Sequence, residues 1–194
     1  MSHFLSRHAS GLEPYVPGEQ PLDRQYIKLN TNECPYPPAP GIARLLAGHT
    51  GREFALYPDP EAKDLRGAIA RRYGLAIEEV FVGNGSDEVL AFLCMAFFDR
   101  GDPINFPDPS YGFYGVYANL FGLRARLIPL AEDFSLRVED YLQREGHILL
   151  ANPNAPTGLA LSRSKIERIL KGNPHRLVVV DEAYVDFSGE DITS

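Results

Sequence analysis

The chain has 194 residues, 44% hydrophobic and 23% charged, which predicts a globular domain with a substantial core. Its formal net charge of -7 argues against a nucleic acid or an anionic membrane surface as partner. The two cysteines suggest neither a disulfide framework nor a metal site, so we expect no metal and a reducing, cytoplasmic compartment. Residues 1–11 lack the apolar stretch of a secretory signal, and we expect no membrane span.

The N-terminal segment is rich in proline, from Pro14 to Pro40. Proline fixes φ and removes a backbone donor, so this segment cannot be a helix or a central strand. One short strand is predicted at 26–29. We therefore predict an extended arm at 1–40, followed by a domain at 41–194.

After the arm, predicted strands alternate with predicted helices. Helices are expected at 41–48, 61–73, 89–98, 111–121, 138–144 and 162–171, and strands at 80–82, 104–106, 125–130, 147–151 and 177–180. This alternation is typical of an α/β fold, a three-layer α-β-α domain with a mostly parallel sheet. The valine-rich strand at 177–180 has no polar alternation, which predicts cover on both faces.

In such sheets, ligands bind beyond the carboxyl ends of the strands. Gly83–Glu88 joins a strand to a helix at one such end. Glycines let the backbone approach a ligand, and the first amides of the helix favour an anion, most naturally a phosphate. The segment is neither a G-x-G-x-x-G motif nor a P-loop. The alternative is a tight turn capped by Ser86 or Asp87.

Three further strand ends carry polar or aromatic groups. Tyr111 could cover a planar ligand, or it could be a half-buried core residue. Phe113, Tyr114 and Tyr117 are expected to be ordinary packing residues at helical spacing. The rigid loop 152–158 offers asparagine amides, or it is an ordinary turn. Asp181 could face a cationic ligand group or cap a helix. Together, a phosphate cradle, a ring, an amide and a carboxylate fit a phosphorylated heteroaromatic such as pyridoxal phosphate.

These stretches resemble the histidinol-phosphate aminotransferase family, pyridoxal-phosphate enzymes of fold type I in histidine biosynthesis. The matching segments are 14–18, 29–33, 57–59, 83–88, 152–158 and 180–184, in the family's order over almost the whole chain. The last two segments are shared by many aminotransferases of this fold. The arm motif, the Asn-Glu segment and Tyr-Pro-Asp point to this particular family.

The resemblance implies roles for the matched positions. The cofactor phosphate would be held by Gly85, Ser86 and Asp87. Tyr111 would stack on the cofactor ring, and Asp181 would pair with the ring nitrogen. Tyr184 would bond the 3-oxygen of the ring. Tyr57 would reach the cofactor phosphate of a neighbouring subunit, which implies a homodimer. The arm would lie over the active site, with Asn32 near the substrate.

This chain departs from the family pattern at two places. The usual asparagine before Pro-Thr-Gly is Ala155 here, and Asn154, one residue earlier, is the candidate to replace it. The lysine that forms a Schiff base with the cofactor should follow Tyr184 by a few tens of residues. The lysines of the chain all lie upstream, at Lys28, Lys63, Lys165 and Lys171. The small C-terminal domain, with its arginine for the substrate carboxylate, is also not found.

The sequence thus resembles the N-terminal half of an enzyme that moves an amino group between glutamate and imidazole-acetol phosphate, with histidinol phosphate and 2-oxoglutarate as the other pair. We assign no catalytic residue and expect no transamination by this chain alone. Two alternatives stay open. One is a related pyridoxal-phosphate aminotransferase or a phospho-amino-acid decarboxylase. The other is a non-catalytic remnant that binds the cofactor or dimerises through its arm.

Overall fold

The computed structural model describes residues 4–12, 18–24, 26–49 and 51–189. Contacts divide the chain into two compact units. The first unit comprises Met1–Glu13 and Gly83–Ser194, and the second comprises Pro14–Val82. Residues 14–17 of the arm motif lie outside the described residues. The division into an arm at 1–40 and a domain at 41–194 stays a prediction.

Helices and strands alternate through most of the first unit. The α-helices of the described chain are α1 (Arg7–Ser10), α2 (Pro40–Ala47), α3 (Lys63–Tyr73), α4 (Gly85–Phe97), α5 (Phe113–Phe121) and α6 (Arg163–Gly172), and the strands are β1 (Pro103–Asp108), β2 (Arg124–Pro129), β3 (His147–Ala151) and β4 (Val178–Asp181). The strands form one sheet in the order β2-β1-β3-β4. Every described pair is parallel, which confirms the predicted α/β fold.

The side chains of β3 show how the sheet divides the core of the first unit. Ile148 and Leu150 pack on one face with α6 and the 3₁₀ helix Val138–Tyr141. Leu149 packs on the other face with α4 and α5. Successive strand residues point to opposite faces, and apolar residues at every position therefore require cover on both sides. The three layers follow from this pattern.

The second unit contains α2 and α3 but, in its described residues, no strand. The start of α3 is fixed by Asp59, whose carboxylate accepts the backbone N–H groups of Lys63 at 2.8 Å and Glu61 at 3.1 Å. These bonds, the one from Lys63 first, lower the pKa of Asp59. Arg66 ties α3 to the following segment by donating to the Val80 carbonyl at 2.7 Å.

Several predicted elements differ from the structure. The strands predicted at 26–29 and 80–82 are wrong, because the second unit offers no described strand for either to pair with. The helix predicted at 138–144 is wrong as well. It is reduced to a 3₁₀ helix, and Gln143 at φ 56° cannot continue a right-handed helix.

Two further corrections bear on the ligand edge of the sheet. The helix expected from residue 89 begins at Gly85, which places residues 85–88 of the glycine segment in its first turn. Strand β4 is half-buried rather than covered on both faces. It lies at the sheet edge, since β3 is its single strand neighbour in the described chain. Among the described helices, none has both the length and the apolar character needed to cross a membrane.

Candidate functional site

The start of α4 presents backbone amides without a side-chain cap. Asn84 occupies the N-cap position, but its side chain makes no capping hydrogen bond to the helix. Instead, the Glu88 carboxylate accepts from the Asn84 backbone N–H at 2.7 Å and from its amide nitrogen at 3.1 Å. The first-turn amides of a helix favour an anion through their unpaired donors and the helix dipole.

Local geometry explains why glycine occupies positions 83 and 85. Gly85 has φ 75°, in the left-handed region that glycine tolerates best. At Gly83, a Cβ atom would approach the Glu88 carboxylate to 3.0 Å and Val89 to 3.1 Å. Ser86 and Asp87 lie inside the first turn of α4, so neither caps the helix in the way the alternative interpretation required.

The Asp87 side chain is turned toward the tyrosines of the β1–α5 region. Its Oδ1 atom lies 3.1 Å from the hydroxyls of both Tyr111 and Tyr117, which donate to it. The Tyr117 hydroxyl is also 2.8 Å from the Asp87 backbone carbonyl. The carboxylate is therefore held by the protein, and the backbone amide is the part of Asp87 suited to an anionic ligand.

Asp181, the last residue of β4, is held by two donors. Its Oδ2 atom accepts from the Tyr114 hydroxyl at 2.9 Å, and its Oδ1 atom accepts from the Ala183 backbone N–H at 3.1 Å. Tyr114 is 1% exposed. Burial, and then the Asp181 carboxylate, raise the pKa of Tyr114, so the hydroxyl stays protonated at neutral pH.

The two carboxylates are linked through aromatic rings. The rings of Tyr111 and Tyr114 meet edge to face, with centroids 5.5 Å apart and planes at 86°. This geometry is favourable for two aromatic rings. We call Asp87, Tyr111, Tyr114, Tyr117 and Asp181 the carboxylate–tyrosine network. It runs from the start of α4 to the end of β4.

A second set of contacts fixes the loop 152–158. Ser110 donates to the Asn154 side-chain oxygen at 2.8 Å. The Asn154 amide nitrogen donates to the Pro109 carbonyl at 3.1 Å and to the Thr157 hydroxyl at 3.0 Å. Both amide hydrogens are thus used within the protein. A further donation from Asn154 to a ligand requires one of these bonds to be exchanged.

The family model of aminotransferase class I and II matches residues 24–194. The chain belongs to the class I and II aminotransferases. Histidinol-phosphate aminotransferase from Acinetobacter baylyi is 53% identical over 194 residues, which are 98% of this chain and 54% of that protein. The chain spans about half the length of the curated relatives it matches, 53% and 54% for two of them.

Solved aminotransferase-fold structures are similar to this chain as well. Histidinol-phosphate aminotransferase from Sinorhizobium meliloti in complex with pyridoxal-5'-phosphate has a TM-score of 0.73 at 26% identity, over 80% of this chain and 43% of that one. L-threonine-O-3-phosphate decarboxylase from Porphyromonas gingivalis has a TM-score of 0.62 at 28% identity, over 72% of this chain and 43% of that one.

In this aminotransferase chain, the site residues predicted in the first unit lie in the carboxylate–tyrosine network or close to it in sequence. Asp87, Tyr111 and Asp181 lie in the carboxylate–tyrosine network. Asn154 is hydrogen-bonded to Ser110, the residue before Tyr111. Tyr184 follows Asp181 at the entry to a 3₁₀ helix and is half-buried.

The remaining two predicted residues belong to the second unit. Tyr57 is fully exposed, at 101% of its reference area. Asn32 is exposed too and has a left-handed backbone, with φ 54°. Asparagine tolerates this conformation better than most residues do. Their roles at a ligand stay predictions.

Sequence reasoning missed the hydroxyl contacts of Tyr114 and Tyr117. Both pack in the core as predicted, at 1% and 4% exposure. Their hydroxyls nevertheless bond Asp181 and Asp87. The available signal was their chemistry, because a buried tyrosine hydroxyl usually finds a polar partner. Tyr114 and Tyr117 are three residues apart in α5, which places them on one side of the helix.

Proposed function

We propose that this chain supplies the pyridoxal-phosphate-binding part of a histidinol-phosphate aminotransferase. The observation that carries the proposal is the Asp181 carboxylate at the end of β4, oriented by Tyr114 and by the Ala183 amide. A carboxylate fixed there suits a protonated ring nitrogen. Similarity to the enzymes from Acinetobacter baylyi and Sinorhizobium meliloti supports the choice of this activity.

The residues present fit the chemical groups of the cofactor. The uncapped start of α4 suits the phosphate through the amides of Ser86 and Asp87. Gly85 donates its own N–H to the Gly83 carbonyl at 3.1 Å, and its lack of a side chain lets the phosphate approach the backbone. The Tyr111 ring is assigned to stacking on the pyridine. The Tyr184 hydroxyl is assigned to the ring 3-oxygen, and Asn154 holds the loop 152–158 in shape.

When bound, the cofactor supplies an electron-withdrawing ring that stabilises negative charge at the substrate α-carbon. The work of this chain is to bind and orient that ring. Asp181 favours the protonated state of the ring nitrogen because a carboxylate stabilises a nearby positive charge. The first amides of α4 favour the doubly charged phosphate for the converse reason.

The lysines of this chain are not suited to anchor the cofactor. Lys28 pairs with Glu33 at 2.6 Å, Lys63 with Glu61 at 3.0 Å and Lys171 with Glu167 at 3.3 Å. Lys165 is exposed on α6. We propose that this chain alone binds pyridoxal phosphate without catalysing transamination.

We also propose a homodimer, with glutamate, 2-oxoglutarate and histidinol phosphate as the small-molecule substrates of the complete enzyme. The second unit exposes Leu22, Ile27 and Leu29 at 98%, 89% and 91%. Large apolar side chains left in water favour a partner surface. Tyr57 and Asn32 are proposed to act at a neighbouring subunit's cofactor and at the substrate.

The compartment proposed for this protein is the reducing cytoplasm. Cys34 and Cys94 are both free thiols. Burial raises the pKa of Cys94 to about 11, so it stays a neutral, unreactive thiol.

The first test is cofactor binding to the purified chain, measured by equilibrium dialysis with absorbance detection. Replacing Asp181 by Asn removes the charge that pairs with the ring nitrogen. A hydrogen bond to a charged group is worth about 1.5–3 kcal/mol, so we expect affinity to fall about tenfold to a hundredfold. Asp186→Asn, five residues further along and exposed, is the matched control and is expected to retain affinity.

A second measurement addresses the reaction and the competing activity. The chain mixed with pyridoxal phosphate, histidinol phosphate and 2-oxoglutarate is expected to show no turnover, and sustained turnover would refute the lysine argument. Similarity to the threonine-phosphate decarboxylase keeps a phospho-amino-acid decarboxylase as the second candidate. Tighter binding of O-phosphothreonine than of histidinol phosphate to the cofactor-loaded chain would favour that candidate.

A further inference from the structure

We propose that Tyr114 is a positioning residue that holds the Asp181 carboxylate in the orientation needed to pair with a cofactor ring nitrogen. The inference rests on the proposed pyridoxal-phosphate site and adds a residue to which the family resemblance gave no role. Tyr114 is not proposed to touch the cofactor ring. It acts through Asp181.

The contact geometry supports a positioning role. Tyr114 lies near the start of α5, and its hydroxyl reaches Oδ2 of Asp181 at 2.9 Å. The Ala183 N–H reaches the other oxygen at 3.1 Å. With one donor on each oxygen, rotation of the carboxylate about its last torsion breaks at least one bond. Each oxygen keeps acceptor capacity for a ligand.

The surroundings of Tyr114 make this donor rigid. Its ring packs edge to face against Phe106 of β1, with centroids 5.8 Å apart and planes at 72°, and edge to face against Tyr111. The side chain is 1% exposed, so water does not compete for the hydroxyl. A tyrosine fixed on both sides keeps its hydroxyl in one place, whereas β4 itself is a half-buried edge strand. The buried layer therefore orients a carboxylate on the less protected strand.

The same helix offers a matched contrast. Tyr117 is also buried, and its hydroxyl also bonds an aspartate, but that aspartate is Asp87 at the start of α4. Removing either hydroxyl deletes one oxygen atom from the same helix and the same core cluster. If Tyr114 were purely structural, the two changes would affect ligands alike.

The test compares two ligands, pyridoxal phosphate and its 1-deaza analogue, in which C–H replaces the ring nitrogen. Both are dialysed against the complete 194-residue chain, and the ratio of the two affinities is recorded. Tyr114→Phe is expected to lower this ratio about fivefold to tenfold, because the two ligands differ only at the atom facing Asp181. Tyr117→Phe is expected to leave the ratio unchanged, whatever it does to each affinity.

A double-mutant cycle protects the test against loss of folding. Asp181→Asn alone is expected to lower the ratio, and adding Tyr114→Phe to it is expected to lower the ratio no further. Since each ratio is taken within one variant, partial unfolding weakens both affinities together and cancels. Retained selectivity in Tyr114→Phe, increased selectivity, or an additive double variant overturns the inference.

Failure of the underlying proposal gives a separate result. A wild-type chain that binds neither compound overturns the cofactor site, and the inference with it. A wild-type chain that binds both compounds equally overturns the role assigned to Asp181. A wild-type chain that prefers pyridoxal phosphate, with the preference intact in Tyr114→Phe, overturns the role of Tyr114 alone.

Discussion

The two compact units hold their site residues in different ways. In the first unit, Asp87 and Asp181 are tied to tyrosine hydroxyls at 3.1 and 2.9 Å. In the second unit, Tyr57 is fully exposed and Asn32 lies in an exposed segment. A side chain at the end of a buried sheet takes its orientation from its neighbours. A side chain on an exposed segment takes its orientation from what binds it.

The same contrast holds for apolar residues. The sheet of the first unit fully buries Ile148 and Leu150, at 0% exposure. The second unit leaves Ile27 and Leu29 almost fully exposed. Burial of a large aliphatic side chain is worth about 1.5–3 kcal/mol, so these residues contribute unequally to the stability of this chain.

The largest expected effect comes from a matched pair of isoleucines. Ile148→Ala should lower the free energy of unfolding by about 2–5 kcal/mol, because it opens a cavity between β3 and α6. Ile27→Ala should change it by less than about 0.5 kcal/mol. Urea unfolding followed by far-UV circular dichroism measures both. Equal losses would show that Ile27 is buried in solution, by a second copy for example.

The next effect is a loss of stability at high pH. Burial raises the pKa of Tyr114 and of Tyr141 in the folded state above the ordinary value of 10.0. The unfolded chain therefore ionises first. The contribution of these tyrosines to the free energy of unfolding is complete below pH 10 and is lost as pH rises toward their pKa values in the folded state. Within that pH range, each tyrosine should lower the free energy of unfolding by about 1.4 kcal/mol per pH unit.

Single phenylalanine variants assign this loss to the first unit. Tyr141→Phe should flatten the fall in stability above pH 10, measured by urea unfolding between pH 8 and 11. At pH 7 it should be at least as stable as the wild type, since the buried Tyr141 hydroxyl has no hydrogen-bond partner within the described chain. Tyr57→Phe, at an exposed position, should leave the curve unchanged. A flattened curve in Tyr57→Phe instead would contradict the assignment.

The smallest effect concerns the start of α3 in the second unit, where the Asp59 carboxylate accepts the backbone N–H groups of Glu61 and Lys63. The backbone N–H of Lys63 lowers the pKa of Asp59 below the ordinary 3.8. Its stabilising contribution is therefore present above about pH 4 and is lost as pH falls toward the folded-state value. Asp59→Ala should speed amide hydrogen exchange in α3 at pH 6, and the difference should shrink below pH 4.

Glu19→Ala, an exposed change in the same unit, is the control for that measurement and should not alter exchange in α3. If Asp59→Ala also has no effect, the stability of α3 does not depend on the hydrogen bonds of the Asp59 carboxylate. The contrast between the units would then be sharper than the structure indicates, with less local order fixed by side chains in the second unit.

Much of the first unit was predictable because its signals are local. Strand β3 has the predicted bounds, and α5 ends before Gly122 as expected. An apolar run of four residues in β3 and apolar residues at helical spacing in α5 specify these elements without knowledge of their neighbours. The failed strands at 26–29 and 80–82 have apolar residues too. A strand also needs a partner, and no short segment of sequence can supply that information.

The candidate site likewise has features that follow from local sequence and features that depend on packing. The order of residues alone shows that an aromatic residue, an amide loop and an aspartate follow different strands, which places them at the carboxyl edge of one sheet. The glycine turn leads into α4 with no strand before it in the described chain, so the strand predicted at 80–82 did not place it. The packed fold, in contrast, decides that the Tyr114 hydroxyl bonds Asp181, that the Tyr117 hydroxyl bonds Asp87 and that the Asn154 amide nitrogen bonds Pro109 and Thr157. Hydrogen bonds between residues 67 positions apart depend on which strands are neighbours and on side-chain direction. Those are properties of the packed sheet, and the pattern of apolar residues is the same for every choice of partner.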